Sequence, residues 1–228
     1  MSKTFDLEKT TIRALNQALH DLPESGDDTT WQVLNPKGEH AIACGVKAKV
    51  NIDIMGHAGY YCAGMNQLAT ICVNGNVGTG VAENMMSGIV RVKGNASQSA
   101  GATAHGGLLI IEGDAAARCG ISLKGGDIVV HGSVGHMTGF MAQKGNIVIC
   151  GDAGHALGDS IYEANIFLHG KTSDLGADCE EKDMQAEDIE TLGNLLERAE
   201  ISMPVNEFRH YGSARNLYHF DIKKASSY

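Results

Sequence analysis

Short segments of alternating apolar and polar residues recur through the middle of the chain at a fixed interval. Each segment has five residues, such as NIDIM at 51–55 and NIVIC at 146–150, and its second and fourth residues are apolar in all seven copies. Two apolar residues at period two, rich in β-branched types, predict a short strand with one face turned inward. A glycine follows every segment, and successive glycines are 19 residues apart: Gly56, Gly75, Gly94, Gly113, Gly132, Gly151 and Gly170. The middle of the chain is therefore a repeat of seven units without insertion or deletion.

The length of the repeat decides the fold class. A unit of 19 residues is too short to carry a crossover helix between parallel strands. The remaining arrangement stacks each strand in parallel on the same strand of the next unit, so that only neighbouring units touch. The sequence therefore predicts an all-β protein, a single-stranded right-handed parallel β-helix (a solenoid) of about seven rungs, where a rung is one 19-residue unit. The right-handed sense rests on the usual crossover rule alone.

The segments on either side of the repeat predict short helical extensions. Apolar residues at helical spacing predict a helix at about 8–20, with Thr10 or Thr11 as the N-cap. TWQVLN at 30–35 predicts the strand of an irregular opening rung, and 177–188 is acidic and breaks the strand pattern. A second amphipathic helix is predicted at about 186–199. The predicted organisation is a helical cap at 1–29, a β-helix at 30–176, and an acidic linker, short helix and docking tail at 177–228.

Composition excludes several classes of protein. The net charge of −9 argues against a nucleic-acid partner, because phosphate binding requires a basic surface. No signal-peptide core and no apolar run of membrane-spanning length occur, which predicts a cytoplasmic protein with no membrane partner. The six cysteines match no zinc or iron–sulfur spacing, so we expect free thiols in a reducing compartment.

Residues 19 apart in the sequence are expected to stack, which brings histidines and a cysteine into columns. One column contains His131, Cys150 and His169, all zinc-ligand types, although a flat row of side chains is unlike the tetrahedron that zinc requires. A second column pairs His136 with His155, which could bind metal, relay protons or simply stack. No Ser-His-Asp set and no dinucleotide-binding loop is identifiable. We therefore predict no catalytic, cofactor-binding or metal-binding residue in this chain.

A further column follows the repeat glycines directly. Its side chains are mostly of the types that cap turns, and this capping explains them better than a calcium site does. The column consists of His57, Asn76, Asn95, Asp114, Ser133, Asp152 and Lys171.

The end of the chain is aromatic and basic, in contrast to the acidic whole. Such a tail predicts docking, either onto this chain, where it would cover the last rung, or onto a partner. The candidate docking residues are Phe208, Arg209, Tyr211, Arg215, Tyr218 and Phe220.

The repeat resembles a known family. A branched-aliphatic strand followed by G-x-x-G-x-x-x-G, as in GSVGHMTG at 132–139, is similar to the GXGXG domain, the β-helix at the carboxyl end of the glutamate synthase large subunit. The resemblance covers about 30–176. The flanks TTIRALNQALHDL and EFRHYGSARNLYHFDI resemble the stand-alone β-helix subunits of this family, which include that of N-methylglutamate synthase (methylamine–glutamate N-methyltransferase).

The resemblance implies a division of labour within a hetero-oligomer. A glutaminase-like class II amidotransferase subunit would handle nitrogen, and a flavin-dependent synthase subunit would carry FMN and an iron–sulfur cluster. The β-helix subunit would carry no cofactor and would hold the other two in place. On this basis we expect a non-catalytic structural subunit, although a role in the enzyme complex is inferred by analogy.

Two other functions compete with this one. The same repeat occurs in the β-helix subunits of formylmethanofuran dehydrogenase and of the related formyltransferase/hydrolase complex, and the tail FRHYGSARNLYHF favours the amidotransferase group over them. A free-standing enzyme on a β-helix is disfavoured, because left-handed acyltransferases use a six-residue repeat and polysaccharide lyases carry a signal peptide. The co-purifying chains would discriminate among these functions.

Overall fold

The structure is a computed structural model that describes residues 2–216. Within this range, one 11-stranded sheet contains every strand, in the order β1-β2-β3-β4-β5-β6-β7-β8-β9-β11-β10. The elements are β1 (Ser2–Asp6), α1 (Ile12–His20), β2 (Thr30–Leu34), β3 (Asn51–Met55), β4 (Thr70–Val73), β5 (Ile89–Val92), β6 (Leu108–Ile111), β7 (Lys124–Val130), β8 (Lys144–Ile149), β9 (Glu163–Leu168), β10 (Cys179–Lys182), α2 (Ala186–Ala199) and β11 (Arg209–Ser213).

The predicted solenoid is confirmed. Strands β1 to β9 pair in parallel in sequence order, and the register from β3 onward advances by 19 residues per rung, as in Ile52↔Ile71 and Ile71↔Val90. The exception is the start of β7, where Lys124 pairs with Lys144 at a local irregularity. The second and fourth positions of each strand form the buried core. The residues two positions after the repeat glycines form isolated parallel bridges in the same register, from Ala58↔Val77 to Ala153↔Thr172. The opening rung is irregular, as predicted, because Trp31 pairs with Ile52 across 21 residues.

Close stacking of the rungs explains the repeat glycines. A Cβ on Gly94 or Gly132 would lie closer than 3.0 Å to a side-chain oxygen of the preceding rung, from Asn76 and Asp114 respectively. Those oxygens are occupied: Asn76 Oδ1 accepts from the backbone N–H of Asn95 at 2.8 Å. The same bond recurs from rung to rung along the whole column from His57 to Lys171. The predicted turn-capping column is confirmed, and glycine is required there so that this ladder of hydrogen bonds can form.

A strand and a helix cover the first rung. Helix α1 begins at Ile12 rather than near residue 8, because Thr11 is its N-cap and accepts from Ala14 N at 3.2 Å. Leu15 and Leu19 of this helix are fully buried in the solenoid core. Strand β1 was not predicted; it pairs in parallel with β2 and forms one edge of the sheet. Lys3 of β1 lies over the ring of Trp31 at 4.1 Å, so a charge sits above the core at this end.

The other end of the solenoid is covered by strands that run backwards. Strand β11 pairs antiparallel with β9, and β10 pairs antiparallel with β11. The acidic segment at 177–188 therefore contains a strand, Cys179–Lys182, where the sequence pattern predicted none. The parallel stack stops at β9, because β11 occupies its free edge with the opposite direction.

Helix α2 covers part of the outer strand face. Its bounds, Ala186–Ala199, agree with the predicted helix, and its N-terminus has a capping box formed by Gln185 and Asp188. The third strand position points outward, and beneath α2 it is apolar and buried. A second, smaller core forms there, separate from the solenoid interior. Its members are Leu108, Ile110, Val129, Val148, Cys150, Phe167, Leu192, Leu195, Leu196, Ala199 and Phe208.

Arg91 binds the C-terminal end of α2. Its guanidinium donates to Glu112 at 2.9 Å and to Glu200 at 3.1 Å, and it reaches the carbonyl oxygen of Arg198 at 3.4 Å. A cation at this position is stabilised by the partial negative charge of the helix C-terminus. Lys93 also binds Glu112, and the two hydrogen bonds lower the pKa of the Glu112 carboxyl although burial opposes the shift.

Candidate functional site

A chain of polar side chains crosses the strand face beside the N-terminus of α2. It begins at the first strand position of the fifth rung, where Asp127 Oδ1 accepts from Asn146 Nδ2 at 2.8 Å. Asn146 Oδ1 in turn accepts from Asn165 Nδ2 at 3.1 Å, one rung further on. Asn165 Oδ1 then lies 3.0 Å from Nε2 of His210 on the tail strand β11. Because each amide donates toward Asp127, His210 Nε2 carries the proton that Asn165 accepts.

His210 brings the tail strand against the start of the helix. Its Nδ1 lies 3.4 Å from Asp188 Oδ2, which is an ion pair only when the imidazole is protonated; in the neutral ring, Nδ1 has no hydrogen-bond partner among the described residues. The same Asp188 oxygen accepts from the backbone N–H of Gln185 at the start of α2. The imidazole is 7 % exposed and stacks on Phe167 at 5.1 Å. Burial lowers the pKa of His210, and the Asp188 carboxylate opposes that shift. Burial likewise raises the pKa of Asp127, while the Asn146 hydrogen bond opposes it.

A cleft of about 510 Å³ opens beside His210. Its walls combine Lys182 and Arg215 with Glu163 and Asp188, so the charges are mixed. A second cleft of about 460 Å³ is also lined by Asp188. The arrangement connects β9 to β11 and places β11 against the start of α2. Ser213, which also lines the first cleft, donates its hydroxyl to Asp178 Oδ2 at 2.9 Å, so the polar side chains here hold the tail in place.

Four of the predicted docking residues pack against or bind other parts of this same chain. Phe208 and Tyr211 are buried, at 4 % and 2 % exposure, and leave little surface for a partner. Arg209 donates to the carbonyl oxygen of Gly170 in the last rung. Arg215 pairs with Glu163 at 3.5 Å and stays largely exposed. Tyr218 and Phe220 lie outside the described residues.

One of the two histidine columns forms a stacked pair, and the other does not. His136 and His155 lie 5.1 Å apart with an interplanar angle of 6°, so their rings stack face to face. His131, Cys150 and His169 follow one another along the covered strand face, but His169 turns to Glu207 at 3.2 Å. His131 Nε2 is buried without a hydrogen-bond partner in the described part of the chain, and burial lowers the pKa of this histidine. Within 2–216, no three His, Cys, Asp or Glu side chains are grouped as metal ligands.

The cysteines are distributed along the solenoid and are unpaired thiols. Burial raises the pKa of Cys150 to about 11 and that of Cys119 to about 12, so both stay protonated at neutral pH. A buried thiol with a raised pKa is a poor nucleophile.

The polar chain was missed at the level of the sequence, although a signal for it was present. The first strand position changes from apolar Leu108 to Asp127, Asn146 and Asn165 in three consecutive rungs. Stacked Asx side chains at a strand position hydrogen-bond along the column, as the turn column does. No periodicity connects this column to His210 or Asp188, which approach from a tail and a helix.

A comparison with known proteins identifies a relative of the whole chain. Protein GlxC of Rhizobium meliloti (strain 1021) is 55 % identical over 225 residues, which cover 98 % of this chain and 99 % of that protein. The chain belongs to the GlxC family. The GlxC name states no substrate, reaction or partner, but membership agrees with the expected glutamate-synthase-like relationship at the level of the family. No protein-family model and no solved structure matches the chain.

The helices of this GlxC-family chain are too short or too polar to cross a membrane, as far as residues 2–216 are concerned.

Proposed function

We propose that this chain is a non-catalytic structural subunit of a glutamate-synthase-like complex. The observation that carries the proposal is the unbroken stack of rungs, in which backbone and Asx side chains are bonded from one rung to the next along the column. Such a column is stiff and presents flat faces at fixed separations, which suits a part that holds other subunits. Membership in the GlxC family supports the glutamate-synthase-like relationship.

The complex that we propose is N-methylglutamate synthase, which converts methylamine and L-glutamate to N-methyl-L-glutamate and ammonia. In it, this chain bridges a glutaminase-like class II amidotransferase subunit and a flavin-dependent synthase subunit. FMN and the iron–sulfur cluster belong to the synthase subunit. The support for this finer assignment is the resemblance of the two flanks, TTIRALNQALHDL and EFRHYGSARNLYHFDI, to the stand-alone subunits of that group.

The test is reconstitution. The chain is co-expressed with the amidotransferase-like and synthase-like subunits, purified through a tag on this chain, and weighed by native mass spectrometry. We expect one assembly that contains all three chains, with FMN and iron only when the synthase subunit is present. N-methylglutamate formation should require the assembly and should be absent from the isolated chain.

Two results would contradict the proposal. Tight flavin binding or turnover by the isolated chain would make it an enzyme in its own right. Co-purification from its own cells with a formyltransferase, instead of a flavin-dependent synthase, would place it in the formylmethanofuran group.

A further inference from the structure

Large exposed apolar side chains are concentrated in the first two full rungs. The described chain has eight of them, and six belong to residues 51–88. Five of these six lie away from the strand face, and we call them the two-rung patch: Tyr60, Tyr61, Met65, Leu68 and Met86. Each is between 45 % and 52 % exposed.

The two rungs that carry the patch adjoin at the Met65 and Met86 corner and beside Tyr61. Met86 donates its backbone N–H at 2.8 Å to the carbonyl of Asn66, the residue after Met65, so the two methionines lie at the same corner. Tyr61 flanks Gly80 of the next rung, where a Cβ would lie 2.9 Å from its ring. Tyr60 is held by stacking on His40 at 4.5 Å.

The same positions are polar or small in most of the other rungs. At the position of Met65 the repeat has Asn84, Thr103 and Ser122 in the next three rungs. The position of Met86 is Gln in two rungs, and that of Leu68 is Ser in the second rung. The fold therefore does not require apolar side chains at these positions, and their presence needs another reason.

The size of the patch fits the centre of a protein interface. Large side chains expose roughly 150–250 Å² each, so five half-exposed ones leave on the order of 500 Å². A stable interface buries about 800 Å² on each partner, with an apolar centre and a polar rim. Tyrosine and methionine are enriched in such centres. The patch thus supplies the centre, and its surroundings supply the rim.

The charged residues around the patch determine what kind of partner is complementary to it. Glu83 lies beside Tyr61, since a Cβ on Gly80 would lie 2.8 Å from its Oε2. Leu68 borders a cleft of about 300 Å³ that is also lined by Asp27, Asp28 and Lys49. Two further charges follow from chain contacts: Glu39 is next to His40, which stacks on Tyr60, and exposed Lys47 follows Val46, whose carbonyl accepts from the N–H of Gln67 beside Leu68. Four carboxylates against two lysines repel a second copy of the same surface and an anionic membrane.

We infer that the two-rung patch binds a different polypeptide, one that presents apolar side chains surrounded by lysine or arginine. The inference rests on the proposed function only for the identity of that polypeptide, which is then the amidotransferase-like or the synthase-like subunit. The strand face beneath α2 and the tail are not part of the proposed binding surface, because they pack within this chain.

The first test is photo-crosslinking in the cells that produce the chain naturally. A photoreactive residue replaces Met65 in one full-length variant and Met141 in another. Met141 is the matched control, because it occupies the same repeat position, is 43 % exposed and has φ 54° against 55° for Met65. We expect a crosslink to another polypeptide from position 65 and none from position 141. A crosslink from position 65 to a second copy, to residues 217–228 of the chain, or to nothing, overturns the inference.

The second test measures affinity for the crosslinked partner after purification. Variant Y61S/M65N/L68S/M86Q replaces each residue by one that the repeat itself carries at that position, so folding is preserved. Its control, M137S/M141N, makes the first two changes in the fifth rung, where φ of Met137 is 56°, equal to that of Tyr61. We expect Kd to rise at least about tenfold for the first variant and less than twofold for the control. Equal affinities would refute the inference.

The outcomes separate the two proposals. A crosslinked partner that is neither an amidotransferase nor a flavin-dependent synthase refutes the proposed function and leaves the patch as a docking surface. A complete three-subunit assembly that crosslinks from position 141 and not from position 65 refutes the patch and leaves the proposed function.

Discussion

The third position of each strand points outward in every rung, yet its seven residues fall into two groups. Asp53, Cys72 and Arg91 are polar or half-exposed in the first three rungs, whereas the last four are apolar and buried. The second group consists of Ile110, Val129, Val148 and Phe167. The interior columns and the hydrogen-bond ladder are the same on both sides of this boundary. The interior residues therefore determine the solenoid fold. The outward-facing third position varies with what packs on it.

Arg91 stands at the boundary between the two regions. The apolar residues beneath α2 give the helix a surface that excludes water, and Arg91 binds the last turn of the helix and the loop after it. The two groups of rungs thus differ in whether helix α2 covers them. If this difference is confined to the outer face, the following effects are expected.

The largest effect is expected from a charge under the cover. Val148→Asp places a carboxylate beneath α2 where the side chain is fully buried, and the free energy of unfolding should fall by about 3–5 kcal/mol. Cys72→Asp makes the same change at the same strand position in the uncovered half. The new carboxylate lies between Asp53, which repels it, and Arg91, which attracts it, and the change should cost less than about 1 kcal/mol. Urea unfolding followed by circular dichroism measures both. Equal losses would mean that the two halves do not differ as described.

Glycine substitutions should act alike in both halves, because the ladder of hydrogen bonds crosses the boundary unchanged. Gly94→Ala and Gly132→Ala each direct a Cβ at a side-chain oxygen of the preceding rung, closer than 3.0 Å. Each should lower the free energy of unfolding by about 1–3 kcal/mol. Gly38→Ala is a contrasting variant, since a Cβ there meets no atom within 4 Å and only its φ of 76° is unfavourable. A much larger cost at one of the two repeat glycines would show that the cover reaches the interior.

The boundary itself is tested by Arg91→Met. The variant loses charged hydrogen bonds to Glu112 and Glu200 and keeps the aliphatic stem, so we expect a loss of about 1–2 kcal/mol. Hydrogen exchange should locate the effect in the last turn of α2, with β3 and β4 unchanged. Uniform acceleration of exchange across the sheet would contradict a local role for this residue.

The smallest effect concerns pH and is confined to the covered half. Burial lowers the pKa of His210 in the folded chain, so the folded protein resists protonation more than the unfolded chain does. Stability should therefore fall as the pH decreases from 7 through the ordinary histidine pKa, and His210→Asn should reduce this dependence. The control is His155→Asn, which changes a histidine outside the polar chain. Denaturation midpoints at pH 7 and pH 5 provide the measurement; a wild-type protein more stable at pH 5 would reverse the sign.

The interior of the molecule was predictable because it repeats. Seven strands with period two and glycines every 19 residues fix the register without knowledge of anything outside the column. Helix α2 was also predictable, since Leu192 and Leu196 follow helical spacing and Pro204 stops the chain from continuing it. These features depend on local sequence and on identical neighbours.

What escaped prediction depends on contacts between distant and dissimilar segments. Strand β1 has five mostly exposed residues, and it is a strand only because β2 offers it an edge. The reversed direction of β11 depends on pairing with β9, some forty residues earlier, and the acidic β10 pairs only with β11. The polar chain from Asp127 to His210 joins the repeat to the tail in the same way.

Lys3 over Trp31 has a consequence for assembly. A column of identical rungs could in principle add further copies end to end and grow into a filament, as open head-to-tail contacts do. At one end the lysine keeps a charge above the core, where an incoming strand would have to bury it. At the other end an incoming copy would meet strands of the opposite direction. Both ends of the column are thereby closed to further rungs, and the sides remain as the surfaces on which the partners that we propose would bind.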